Sequence, residues 1–289
     1  MNYIVFAFLS AFFAALTSIL AKVGLKKINS NLATALRCIV IVIFSWLMAF
    51  ITTDIPKELF SMSYRTLLFL ILSGITTGAS WMCYFHALKI GNINVVVPID
   101  KSSIVFTIVL SSLIFENERL TLFKGICTLL IGVGTILMIE KSKGRSSKRK
   151  KSAVIYAFSG AIFAALTSIL GKFGVSGISS DLGSAIRCVV VLIMAWLIVL
   201  MGSDYKGLNK LDFKAGFFTL LSGVATGASW LCYYRALSQG PASIVAPIDK
   251  LSILLTVILG GIFFKEKISS KGVTGLIFIV AGTLLLLLC

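Results

Sequence analysis

Residues 91–107 read GNINVVVPIDKSSIVFT, and residues 240–256 read GPASIVAPIDKLSILLT. Each stretch sets a proline, an acid and a base at the head of an apolar run: Pro98, Asp100 and Lys101 in the first, Pro247, Asp249 and Lys250 in the second. The sequence around them is 58% hydrophobic and 13% charged, with a mean hydropathy of +1.01. That is far more apolar surface than a soluble core of 289 residues needs, and a bilayer accounts for it. Acids and bases inside hydrocarbon are costly, so they are rare there unless they face a partner or a water-filled cavity. Two copies of the same costly motif point to a site built by two related halves.

The halves are visible directly. Residues 11–50 match residues 161–200 at 21 of 40 positions, AALTSIL recurring whole, and residues 72–107 match residues 221–256 at 21 of 36. Such self-similarity is the mark of an internal duplication. Each half holds five apolar runs near the roughly 20 residues that cross the hydrocarbon as helix. They lie near 3–23, 33–52, 66–88, 95–115 and 122–139, then near 153–173, 182–201, 213–237, 243–264 and 272–289. The runs are continuous and do not alternate, which predicts helices and not a β-barrel. The expected fold is an all-α integral membrane protein of ten transmembrane helices. Residues 1–140 form the first repeat, 141–152 a basic linker and 153–289 the second repeat. Five is odd, so the second repeat enters from the opposite side, and the copies are inverted.

Charge sets the orientation. One set of loops carries Lys26, Lys27, Lys89, seven basic residues within 141–151, and Lys206, Lys210, Lys214, Lys265, Lys267 and Lys271. The other set carries only Lys57, Arg65, Arg119 and Lys124. The positive-inside bias places the linker in the cytoplasm and both termini outside. The net charge of +16 is explained by these loops and by lipid headgroups, without nucleic acid. The first 20 residues lack a basic leader region and their copy lies in mid-chain, so they read as a retained span of the cell membrane protein. All six cysteines fall in apolar segments with no CxxC spacing, as small core hydrophobes would.

The spans SGITTGASWMCYFHAL and SGVATGASWLCYYRAL, the PIDK helices after them, and the short loops FENERL and FKEKI before each fifth span resemble the EamA family of the drug/metabolite transporter superfamily. The likeness covers essentially the whole chain, twice. It implies a ten-helix secondary transporter with a central cavity lined by helices one to four of each half, the fifth and tenth packing as a scaffold. Relatives of that kind move amino acids, other metabolites, drugs or sugar nucleotides. Full-length members are usually drawn with both termini cytoplasmic, and the loop charges of this chain depart from that.

Candidate site residues follow from helical spacing. Asp100, Ser103, Thr107 and Ser111 fall on one helix face, and Asp249, Ser252, Thr256 and Gly260 repeat it. Such a stripe suits a cavity wall, or hydroxyls bonding their own i−4 carbonyls. Adjacent residues point about 100° apart on a helix, so each Asp and Lys is expected to need a partner elsewhere. Lys22, Arg37, Lys172 and Arg187 could reach inward to serve, or snorkel to headgroups. Pro98 and Pro247 are expected to kink their helices, although a first-turn proline would be innocuous. Trp81 and Tyr84, matched by Trp230 and Tyr233, could wall a cavity or lie in the interfacial belt. His86 stands where the second copy has Arg235. Gly74 with Gly78, Gly223 with Gly227, Gly125 with Gly132, and Gly275 with Gly282 are packing signals at a contact between halves or between the protomers of a homodimer.

The residues point to a secondary transporter of a small polar metabolite bearing a carboxylate, with the membrane aspartates as candidates for proton coupling. A cationic-drug or toxic-amine exporter, and a lipid flippase or membrane-assembly subunit, are the alternatives. No HExxH, acidic cluster or nucleophile–histidine pattern supports an enzyme, and no cofactor or metal is called for.

Overall fold

The computed structural model describes residues 2–24, 29–90, 93–138, 147–202, 204–205, 212–264 and 269–288. Among them every regular element is helical. The helices are α1 (Asn2–Gly24), α2 (Ser30–Thr52), α3 (Ile55–Ser61), α4 (Tyr64–Ile90), α5 (Ile93–Lys101), α6 (Ser103–Ile114), α7 (Leu122–Leu137), α8 (Ser147–Val175), α9 (Ser180–Gly202), α10 (Phe213–Gln239), α11 (Ala242–Lys250), α12 (Ser252–Phe264) and α13 (Ser270–Leu286). A 3-10 turn at Glu116–Glu118 precedes α7.

Seven stretches are long and apolar enough to cross a membrane, and one of them joins α11 to α12 across a break. The apolar helices α7 and α13 add two more. The pair α5 and α6, which repeats α11 and α12, makes ten among the described residues. The protein is therefore an all-α membrane protein with two repeats of five spans. Two features were not anticipated. The short helix α3 follows α2, its N-cap Asp54 accepting from the Lys57 amide, and α8 starts at Ser147, inside the stretch expected to be linker. The rest of that basic stretch, 141–146, lies outside the described residues.

The outward faces are apolar where a soluble protein would carry charge. Ile43, Leu47 and Phe50 on α2 are exposed at helical spacing, and Ile193, Leu197 and Leu200 repeat them on α9. Along α7 the exposed side chains are Leu122, Ile126, Leu129, Val133 and Ile136. Lipid is the solvent for such a stripe.

Contacts divide the chain into two compact units. The first comprises Met1–Gly78 and Leu170–Gln239. Here α1 packs along α10, and α2 along both α9 and α10. Small side chains make the approach close: Ala7, Ala11 and Ala15 are fully buried one turn apart on α1. The Ser229 hydroxyl donates to the Ser10 carbonyl (3.0 Å), and the Ser222 hydroxyl to the Thr17 carbonyl (3.2 Å). A Cβ on Gly74 would lie 2.6 Å from Val190 Cβ, and one on Gly223 2.6 Å from Val40 Cβ. Those glycines, with Gly78 beside Met194 and Gly227 beside Phe44, do mark contacts between the two sequence halves.

The second unit comprises Ala79–Ile169 and Gly240–Cys289. Its firmest pairing is α7 with α13. A Cβ on Gly134 would meet the Gly275 carbonyl oxygen at 2.6 Å, and one on Gly275 the Gly134 oxygen at 2.5 Å. Gly282 also packs closely, under 3 Å from the Cys127 carbonyl oxygen once a Cβ is added. Gly125, by contrast, has open space and Gly132 only an ordinary contact, so the expected Gly125/Gly132 pairing is corrected to Gly134. The reason is helical phase: two residues further on turns the glycine from one side of α7 to another. Ile104, Ile108, Cys127, Ile131 and Leu286 fill the core beside this pair. Cys38, Cys127 and Cys188 are buried, and the five described cysteines are free.

Candidate functional site

The fourth span of each repeat is broken one residue after PIDK. Helix α5 ends at Lys101 and α6 resumes at Ser103, while α11 ends at Lys250 and α12 resumes at Ser252. At both breaks the backbone tightens to a three-residue step: Ser102 N donates to the Ile99 carbonyl at 3.0 Å, and Leu251 N to the Ile248 carbonyl at 2.9 Å. The Ser102 hydroxyl also donates to the Ile99 carbonyl (2.6 Å). Pro247 lies inside α11, buried, and its missing N–H withholds a donor from the carbonyl one turn back. The break comes one turn after the proline, not at it. Pro98 occupies the matching place in α5, and its side chain lies outside the described ones.

That geometry corrects the expectation that neighbouring acid and base do not reach one another. Asp100 pairs with Lys101 at 3.9 Å and Asp249 with Lys250 at 3.5 Å. A lysine at the last residue of a helix has no following turn to crowd it, so its flexible stem can fold back onto the preceding acid. It also places its cation at the helix C-terminus, where the dipole favours it. The Asp249 side chain is 13% exposed, and the other three members between 25% and 37%. The pairs are not isolated: the charges of Asp249 and Lys250 act on Lys101, and the charge of Asp100 acts on the Tyr84 hydroxyl. Four charges, two from each repeat, thus gather in one unit.

The half-helix α11 is anchored at its other end by a residue that sequence reasoning did not single out. Glu118, 3% exposed, accepts hydrogen bonds from the backbone N–H groups of Ala242 (2.9 Å) and Ser243 (2.8 Å). A carboxylate on the first free amides of a helix satisfies orphan donors and opposes the dipole. The Lys124 ammonium donates to the Glu118 carbonyl at 2.9 Å, holding the turn that presents it. The signal was available: FENERL is an acidic turn in a chain with few acids.

The arginines lie in the first unit. Arg187, 2% exposed, donates from Nε to Ser73 Oγ (3.0 Å) and from Nη2 to Thr77 Oγ1 (2.6 Å). Its guanidinium lies 4.7 Å from the ring centroids of both Trp230 and Tyr234. It does not snorkel. Its counterpart Arg37 reaches Ser222 Oγ and Thr34 Oγ1, each at 3.5 Å, the long limit of a hydrogen bond. The acid nearest to Arg187 in sequence is Asp181, 5% exposed, accepting from Thr52 Oγ1 (2.8 Å) and lying 3.9 Å from Arg235.

The remaining candidates divide as follows. Ser103, Thr107 and Ser111 are buried, with Thr107 Oγ1 donating to the Ser103 carbonyl (2.8 Å) and Ser111 Oγ to that of Ile108 (3.0 Å). Ser252 and Thr256 are half-buried. Trp81 and Tyr84 are half-buried on α4, and Tyr84 packs against Ala87, Val96, Ile99 and Ala157. Tyr233 stands edge-on to Tyr234, with ring centroids 5.3 Å apart. His86 is exposed, its ring 4.4 Å from that of Tyr156. Lys172 is half-buried near the end of α8, and the Lys22 side chain lies outside the described ones.

Comparison with known proteins agrees with this layout. The chain matches the model of the EamA-like transporter family twice, over residues 1–140 and 151–288. It is 44% identical over 131 residues to an uncharacterized transporter in the cobO 3'region of Sinorhizobium sp, covering 45% of this chain and 93% of that one. It is 26% identical over 207 residues to an uncharacterized transporter of Archaeoglobus fulgidus, covering 72% of this chain and 70% of the other. A crystal structure shares the fold with a TM-score of 0.78 at 14% identity, over 99% of this chain and 96% of that one. With two copies of the family's repeat along its length, the chain belongs to the EamA-like transporters, multi-pass membrane proteins of the drug/metabolite transporter superfamily.

Proposed function

We propose that the chain is a secondary active transporter that moves a small, polar, carboxylate-bearing metabolite by alternating access, with Asp100 and Asp249 taking part in proton coupling. The observation that carries the reading is the pair of helix breaks, each with its Asp–Lys couple, gathered within one unit and acting on each other's charge. Broken helices with exposed backbone and charged side chains are how transporters build a binding site in hydrocarbon. In this arrangement each lysine is matched by its own aspartate. The surplus positive charge rests with Arg37 and Arg187, which is why an anionic group on the solute suits the protein better than a cationic one. Within that unit the substrate side would include Lys101, Lys250, Trp81 and Tyr84, with no cofactor required.

The test is flux in reconstituted vesicles under an imposed proton gradient, screened over labelled small carboxylates including amino acids. Asp100→Asn and Asp249→Asn should each lower proton-driven flux at least about tenfold, the effect of about 1.4 kcal/mol on a barrier, while the protein stays folded. Undiminished flux in both variants would sink the coupling mechanism. Preference for lipophilic cations in the same screen would replace the substrate class.

A further inference from the structure

Arg187 is a buried cation for which the described residues supply no counter-charge. Its Nε and Nη2 are satisfied by Ser73 and Thr77, and its face by Trp230 and Tyr234. Its Nη1 is buried and has no hydrogen-bond partner. Among the described residues no carboxylate pairs with it. Neutral hydroxyls and ring faces stabilise a guanidinium in part, but a buried charge ordinarily also takes an opposite charge.

The cradle is built in one repeat only. A Cβ on Gly171 would meet Tyr234 Cε1 at 2.5 Å, so the ring reaches its place over Arg187 only because residue 171 lacks a side chain. In the first repeat the matching positions are Ala21 and Phe85, so the space is filled and the hydroxyl is gone. Among the described residues Arg37 there makes two long contacts, its Nε buried without a hydrogen-bond partner and no aromatic face over its guanidinium.

We propose that Arg187 is the receptor for the carboxylate of the transported solute: Ser73, Thr77, Trp230 and Tyr234 fix the guanidinium so that Nη1 is left to donate to one carboxylate oxygen. The inference rests on the reading of the protein as a carrier of carboxylate-bearing metabolites and names the group that does the recognising. A single free nitrogen suits a monocarboxylate, whereas a phosphate dianion would call for more donors. A cation would be repelled. Because Nη1 is closed from solvent here, the ligand must enter when α10 or α4 shifts, as occlusion during alternating access requires.

The experiment is thermal unfolding of the detergent-purified full chain, titrated with sodium propionate and, at equal ionic strength, with propylammonium chloride. A ligand that binds the folded state raises Tm in a concentration-dependent way. Propionate should raise the wild-type Tm and propylammonium chloride should not. Arg187→Gln should weaken the propionate response by at least about tenfold, as loss of a charge-assisted hydrogen bond does. Should that variant fail to fold, Gly171→Ala keeps the charge and displaces Tyr234, and it should weaken the response too. Arg37→Gln should lose less than Arg187→Gln. The proposal is overturned if wild type gives no propionate response, if chloride gives the same one, if both Arg187→Gln and Gly171→Ala respond like wild type, or if Arg37→Gln loses as much. Retained proton-driven flux in Asp100→Asn and Asp249→Asn would sink the coupling scheme and leave this site standing. Retained flux of a carboxylate solute in Arg187→Gln would sink this site and leave the transporter reading intact.

Discussion

Glu118 shows how much one side chain can decide. It sits in a loop turn, yet its two carboxylate oxygens take the first two amides of α11. Helix α11 is nine residues long, too short to be stable alone, and it carries Asp249 and Lys250 at its far end. Glu118 is thus a positioning residue for a charge pair it does not touch. Glu118→Gln should destabilise the protein by about 1–3 kcal/mol, the usual result of weakening buried hydrogen bonds to a charged group. A drop in Tm measured in detergent would show it, and an unchanged Tm would mean the amides find other partners. Legibility at this scale was uneven. The acids and bases of PIDK announce themselves, since hydrocarbon makes them conspicuous. Their pairing with each other did not, because neighbours on an ideal helix point about 100° apart, and here each lysine is the last residue of its helix.

At the scale of elements, α7 and α13 show how glycine sets the distance between helices. Gly134 and Gly275 meet backbone to backbone, with no flexible side-chain end able to give way. Gly134→Ala should therefore push the helices apart and cost about 1–3 kcal/mol, as overpacking does. Gly125→Ala faces open space and should be neutral or stabilising by up to about 1 kcal/mol through helix propensity. Unfolding midpoints of the two variants, compared in one detergent, test the contrast; equal losses would refute it. The two helices are also short, sixteen and seventeen residues, or about 24–26 Å at 1.5 Å per residue. A bilayer core of about 30 Å would have to thin around them.

For the whole molecule, the compact units do not coincide with the sequence repeats. Each draws on both, since α1 pairs with α10, α2 with α9, and α7 with α13. Residues 1–140 expressed alone would expose the faces that α9, α10 and α13 cover. Each half on its own should be protease-sensitive and aggregated, and the two co-expressed should recover a protease-resistant complex. A stable, monodisperse single half would contradict this. Orientation belongs to this scale as well. With sixteen basic loop residues on one side and four on the other, a topology reporter fused after Cys289 should report the face opposite the cytoplasm. A cytoplasmic signal would reverse the assignment.

Hydropathy, duplication and loop charge needed no coordinates: they specify helices, their number and their inverted repetition, because a bilayer leaves a chain few ways to satisfy its backbone. They also marked Asp100, Lys101, Asp249 and Lys250 as residues with a reason to be there. Tertiary structure alone decided which atoms meet. It joined each Asp to its own Lys, set Glu118 on α11, placed Trp230 and Tyr234 over Arg187, and left Nη1 unpartnered. Periodicity reports the face of a helix on which a residue lies; the neighbour across that face depends on where helices break and how closely glycine lets them approach.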